Sequence, residues 1–129
     1  MDEKNIKILI VDDEADFRQQ MKFWFEAKGY FVIEAPDGQS ALQVVKDDNP
    51  DIIFMDLRMP GMDGMEAIKR IREFNKDVPI IVISSYVADL KFKDTVSYDI
   101  SGIFCKSEDF QDGLSLLEAA LRTHKKLKK

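Results

Sequence analysis

A single cysteine, Cys105, leaves no partner for an internal disulfide and fits a reducing compartment. No apolar run approaches the length of a membrane span, and the charged start "MDEKNIK" has no signal-peptide core. Positive charge is not in excess: the net charge is -5, against the basic balance of a nucleic-acid-binding domain. There is no internal repeat and no low-complexity segment. The one histidine, His124, lies in a polar tail and reads as a solvated side chain rather than a ligand. What remains is an ordinary globular composition, with 45% hydrophobic and 33% charged residues in 129. It points to one domain, expected in the cytoplasm. That domain is expected over residues 1–124, with 125–129 a basic tail or the start of a linker.

Four short apolar runs read as buried strands: Ile6–Val11, Tyr30–Ala35, Asp51–Asp56 and Pro79–Ser84. "GIFCK" (Gly102–Lys106) is a fifth, shorter run. Their apolarity is near-continuous rather than alternating, which suggests parallel strands covered on both faces. Helical stripes lie between them. Phe17, Met21, Trp24 and Phe25 share one face, all expected in the core. Ala41, Leu42 and Val45 mark a second helix, Met65, Ile68 and Ile71 a third, and Phe110, Leu114, Leu117 and Leu121 the last. Tyr86–Ile100 is the least periodic segment and is read as helix. Regular alternation of strand and helix predicts an α/β fold on a parallel sheet, with right-handed crossovers.

In such sheets ligands bind beyond the carboxyl ends of the strands. Asp12, Asp13 and Glu14 follow the first apolar run, Asp56 ends the third, Ser84 and Ser85 end the fourth, and Lys106 ends the fifth. A carboxylate closing the run Ile52-Ile53-Phe54-Met55 is costly to bury unless it is compensated. Clustered carboxylates repel unless a cation joins them, and an oxygen-only donor set selects a hard ion such as Mg²⁺. An aspartate beside a metal and a lysine is placed to act as a nucleophile toward a phosphoryl group. Lys106 and Ser84 would then stabilise the transferring group. Each feature alone has a plain structural reading: Asp13 or Asp16 as a helix cap, Ser84 as a turn residue, Lys106 as a solvated charge. The order Asp-Asp, Asp, Ser, Lys after successive strands is what those readings leave unexplained.

The segments "ILIVDDEADFR", "DIIFMDLRMPGMDGMEAIKRIR", "VPIIVISSY" and "GIFCK" together resemble the receiver domains of bacterial two-component response regulators. The resemblance covers essentially the whole chain. It implies a five-stranded flavodoxin-like sheet in the order 2-1-3-4-5 with helices on both faces. It implies that Asp56 takes a phosphoryl group from a histidine kinase or phosphotransfer protein. It implies Mg²⁺ held by Asp13, Asp56 and the Arg58 backbone carbonyl with help from Asp12, and phosphoryl contacts from Ser84 and Lys106. An effector protein or a C-terminal output domain would receive the signal; nucleic acid and membrane are not expected partners.

Three positions depart from the family pattern. Ser107 replaces the usual proline after Lys106, Ile103 stands where a switch aromatic is usual, and Ser85 stands where Ala or Gly is common. The chemistry is expected to survive, with a trans Lys106–Ser107 peptide and a muted switch at Ile103. The alternative is a phosphorylation-independent protein-interaction module on the same fold. An FMN-binding flavodoxin would want a Ser/Thr-rich loop where "VDDEADF" is acidic. A haloacid-dehalogenase phosphatase would want an aspartate where Arg58 stands.

Overall fold

The computed structural model describes residues 6–85 and 92–124. Five strands alternate with five helices: β1 (Lys7–Val11), α1 (Ala15–Ala27), β2 (Phe31–Ala35), α2 (Gly38–Asp48), β3 (Ile52–Asp56), α3 (Gly64–Phe74), β4 (Ile80–Ser84), α4 (Phe92–Ser97), β5 (Ile100–Cys105) and α5 (Phe110–Thr123). All strand pairs are parallel, and the sheet order is β2-β1-β3-β4-β5, as expected.

Alternation of side chains along each strand feeds two separate cores. Ile8 and Ile10 of β1, Phe54 of β3, and Ile81 and Ile83 of β4 point to one face. There they meet Met21 and Phe25 of α1 and Leu114, Leu117 and Leu121 of α5. Leu9, Val11, Ile53, Met55, Ile80 and Val82 point to the other, where Ala41, Leu42 and Val45 of α2 and Ala67, Ile68 and Ile71 of α3 cover them. β3 and β4 are buried at every residue, which is why their sequences read as unbroken apolar runs.

Helix starts are set by carboxylates. Asp37, Asp63 and Asp109 accept from the backbone N–H groups of Ser40, Glu66 and Asp112 at 2.8, 2.9 and 3.1 Å. Each such cap contributes about 1 kcal/mol. α2 ends on Asn49 in the left-handed region, φ 49°. At the far end of α3, the buried Arg72 donates to the carbonyls of Tyr98, Asn75, Val78 and Asp99 at 2.9, 3.2, 2.8 and 3.3 Å. Burial lowers its pKa, opposed by the charges of Asp99 and Asp77.

The structure corrects several expectations. Trp24 is not core: it is 42% exposed and stacks on Phe110 with ring centroids 6.2 Å apart. The stripe that reaches the interior is narrower, Met21 and Phe25, with Phe17 packed at its edge. β5 begins at Ile100 rather than Gly102, because the Ser101-Gly102 interruption hides its first half in the sequence. Neither Asp13 nor Asp16 caps α1; Glu14 occupies that position and makes no side-chain cap bond. Cys105, which as a strand residue after an apolar run is expected to be buried, is partly exposed at the end of β5. His124 belongs to the end of α5, its Nδ1 lying 2.9 Å from the Ala120 carbonyl. Of the helix expected over Tyr86–Ile100, Phe92–Ser97 is helical; residues 86–91 and the tail at 125–129 lie outside the described residues.

Gly64, the first residue of α3, donates its N–H to the Leu57 carbonyl at 2.9 Å, so the helix starts against the end of β3. A Cβ there would collide with the Asp56 carbonyl oxygen and lie 2.7 Å from Leu57 Cα. Gly64→Ala is therefore expected to cost about 3 kcal/mol or more by overpacking rigid backbone. Urea unfolding checks this; an unchanged midpoint would refute the close approach.

Candidate functional site

Because the strands are parallel, their carboxyl ends open on one edge of the sheet. Asp12 and Asp13 follow β1, Asp56 closes β3, Ser84 closes β4 and Lys106 follows β5. Two backbone bonds align these ends: Leu57 N–H to the Ile83 carbonyl at 3.2 Å, and Lys106 N–H to the Ser84 carbonyl at 3.0 Å. The result is a cleft of about 240 Å³ lined by Asp13, Glu14, Asp56, Leu57, Arg58, Ser84, Ser85 and Lys106. That volume falls below the roughly 300–1,000 Å³ of pockets for drug-sized ligands and suits an ion or a phosphoryl group rather than a nucleotide.

Asp56 is 4% exposed and Asp12 fully buried, while Asp13 is exposed. Among the described residues one ammonium serves the cluster. Lys106 Nζ lies 3.0 Å from Asp12 Oδ2 and 3.5 Å from Asp56 Oδ2, and it forms a tight ion pair with Glu14 Oε1. It also sits 5.0 Å from the Phe17 ring centroid, so the ammonium lies between the carboxylates and an aromatic ring of α1. The Arg58 N–H donates to Asp56 Oδ1 at 3.3 Å, and the Glu14 N–H to Asp12 Oδ1 at 2.9 Å.

The electrostatics follow from this crowding. Burial, then the charge of Asp12, pushes the Asp56 carboxyl up to about 7, against the opposing pull of Lys106. Burial alone would lower the Lys106 pKa. Hydrogen bonds to Glu14 and Asp12, with the charges of Asp12 and Asp56, outweigh it and hold the ammonium above the ordinary lysine range. One lysine does not neutralise the set. Asp12, Asp13 and Asp56 each offer an oxygen, all within 4.8 Å of one another. Asp12 Oδ2, although ion-paired with Lys106, accepts no well-oriented hydrogen bond. A buried, hard-oxygen donor set with surplus negative charge fits a small divalent cation.

The cleft thus brings together Asp13, Asp56, Arg58, Ser84, Ser85 and Lys106, with Asp12 behind them. Ile103 is not among the residues that line it; it lies mid-strand in β5 opposite Val82, while Phe104 faces the α1–α5 core. Glu14 receives no role from the sequence pattern. Its signal is a third acid directly after Asp12-Asp13, and only the parallel packing of β5 shows which cation it meets. No cis peptide occurs among the described residues, so Lys106–Ser107 is trans.

The model of the response regulator receiver domain matches residues 8–118, and the chain belongs to that family. It is a receiver domain, the input module of two-component signalling. Among curated relatives, the transcriptional regulatory protein YdfI of Bacillus subtilis is 36% identical over 118 residues, covering 90% of this chain and 55% of that protein. The response regulator MprA of Mycolicibacterium vanbaalenii is 31% identical over 81% of this chain and 42% of its own length. The chain therefore spans about half the length of these relatives. Among solved structures, the chemotaxis protein CheY4 of Vibrio cholerae superposes with TM-score 0.84 at 29% identity, covering 90% of this chain and 98% of its own. The response regulator TrrA of Thermotoga maritima, solved in complex with Mg²⁺–BeF, gives 0.82 at 28% identity, covering 90% and 99%.

Asp56 makes stability pH-dependent in the metal-free protein. Its folded pKa, about 7, lies above the ordinary 3.8, so the folded state binds the proton more tightly. Its contribution is therefore intact below about pH 4 and is lost as pH rises through 7. Asp56→Asn, which keeps the shape and removes the charge, should be more stable than the parent at pH 8 by about 1–3 kcal/mol. The gap should close toward pH 4. Chemical denaturation at both pH values tests this, and a variant less stable than the parent at pH 8 would contradict it.

Proposed function

We propose that Asp56 is the phosphoacceptor of this receiver domain, and that a histidine kinase or phosphotransfer protein supplies the phosphoryl group. The observation that carries this reading is the geometry of Asp56 itself. Its carboxylate is almost buried at a strand end, opens onto a small cleft, and faces Lys106 at 3.5 Å. A carboxylate oxygen attacks phosphorus as the bond to the donor's leaving group breaks, leaving an aspartyl phosphate. Lys106 balances charge on the phosphoryl oxygens, and the Ser84 hydroxyl donates to one of them. Asp12, Asp13, Asp56 and the Arg58 carbonyl hold Mg²⁺, which when bound supplies Lewis-acid charge compensation for the transfer. The same residues assist hydrolytic loss of the phosphoryl group. The domain comprises residues 1–124, acts in the cytoplasm, and signals to an effector protein or an output domain of its own chain. Among the described residues no helix is long and apolar enough to cross a membrane.

Acetyl phosphate with Mg²⁺ should add one base-labile phosphoryl group, read by intact mass. Asp56→Asn should abolish it and Lys106→Ala should slow it by about 10²-fold. Asp13→Ala should weaken Mg²⁺ binding, followed by titration of Trp24 fluorescence. Labelling that persists in Asp56→Asn, or that maps to Ser84 or His124, would show that a different residue is the nucleophile.

We further propose that the switch runs through Ser85 rather than through Ile103, which has no ring to swing. Ser85 is exposed on the cleft wall at the end of β4, so motion of Ser84 toward a phosphoryl group passes into the chain leading to α4. Hydrogen exchange with and without beryllofluoride should change over α4, with little change at Ile103. Protection changes restricted to β5 would place the route elsewhere.

A further inference from the structure

Lys106 is shared among three carboxylates, and one of them, Glu14, has no place in the reaction just proposed. Glu14 opens α1 in an extended conformation, φ -85° and ψ 104°, and makes no cap hydrogen bond to the helix. An acid at this position commonly serves the helix N-terminus. Here its carboxylate turns to Lys106 Nζ instead. The turn is built in, since the Glu14 N–H is anchored to Asp12 Oδ1 at 2.9 Å and Asp12 itself is fully buried. Glu14 is also the outermost of the three partners: its side chain is 61% exposed, against 0% for Asp12 and 5% for Asp56. The pair therefore ties the ammonium to the mouth of the cleft, while Asp12 Oδ2, 3.0 Å away, holds it from behind. In that position Nζ is 3.5 Å from Asp56 Oδ2, too long for a good hydrogen bond.

We infer that Glu14 is a positioning residue that holds Lys106 at the rim of the cleft in the unphosphorylated protein and competes with the incoming phosphoryl oxygens for its ammonium. This rests on the reading that Asp56 accepts the phosphoryl group. Phosphoryl acceptance then includes an exchange of partners: Lys106 leaves an exposed carboxylate and takes up a phosphoryl oxygen. The Glu14 charge, itself on the cleft wall, also opposes the approach of an anionic donor. Both effects have the same sign, so Glu14 sets the site to bind phosphoryl groups more weakly than its other residues would allow. An exposed ion pair is worth little and is screened by salt, so the effect is a tuning of about two- to fivefold.

The test uses Glu14→Gln, which keeps the side-chain length, and Glu14→Asp, which keeps the charge but is one methylene shorter. The first measurement reads the pair directly. In metal-free protein carrying Asp56→Asn, ¹H–¹⁵N NMR of the Lys106 ammonium should show a shifted Nζ signal and faster proton exchange with water when Glu14→Gln is added. The second measurement is beryllofluoride affinity of the otherwise unaltered protein at saturating Mg²⁺. Glu14→Gln should bind about two- to fivefold tighter at low salt, Glu14→Asp should fall between it and the parent, and the differences should fade at high salt. An unchanged Lys106 signal overturns the pairing. Beryllofluoride affinity that is equal or weaker in Glu14→Gln overturns the competition. If Asp56→Asn still accepts phosphate, the functional reading fails, yet the ammonium signal still decides whether Glu14 holds Lys106.

Discussion

The position of one carboxylate organises this molecule. Asp56 ends a strand buried at all five residues, where an uncompensated charge is costly. Parallel pairing of β3 with β1 and β4 decides what stands beside it. Were β1 antiparallel, Asp12 and Asp13 would lie at the opposite edge, and Asp56 would keep Lys106 beside it but lose the two carboxylates that complete the acidic set. The sheet direction is thus an electrostatic constraint as well as a packing one, and the crossover helices on both faces follow from it.

The two cores divide the work around that edge. The α1–α5 side supplies an aromatic wall: Phe17, Phe104 and Phe110 meet with ring centroids 5.6 to 6.3 Å apart, and the Phe17 ring faces the Lys106 ammonium. The α2–α3 side supplies close backbone approach, with Gly64 seated against the end of β3. Between them the site residues have few ways to move without disturbing a core.

How far the sequence revealed this depends on what each residue answers to. The strands were legible because residues buried on both faces must be apolar, and runs such as Ile80–Ser84 have no other easy explanation. The candidate site was legible from its order, since polar residues placed directly after successive runs converge only in a parallel sheet. Trp24 was misread because helical periodicity gives direction but not depth: its stripe points toward the core edge, where Phe110 covers part of the ring and solvent meets the rest. The start of β5 was hidden because Ser101 and Gly102 carry no apolar signal, although Gly102 packs against Leu116 and suits a close approach there. Glu14 was invisible for a different reason. Its partner lies 92 residues away, and spacing along the chain carries no information about a contact between two separate strand ends.

Arg72 gives the opposite edge of the sheet a contrasting character. Asn75 and Val78 precede β4, and Tyr98 and Asp99 precede β5, so one guanidinium gathers the carbonyls of both approaches. It grips dipoles rather than carboxylates. A guanidinium stays charged across the accessible pH range, and neutral carbonyls do not titrate. One pole therefore carries the clustered carboxylates, and the other is held by hydrogen bonds to neutral carbonyls, with the charges of Asp99 and Asp77 beside them. The acidic set and Lys106 lie at the carboxyl ends of β1, β3 and β5, while one guanidinium ties together the entries of β4 and β5 at the other edge. Tyr98 and Asp99, where α4 passes into β5, are thereby tied to the approach to β4 through a single side chain.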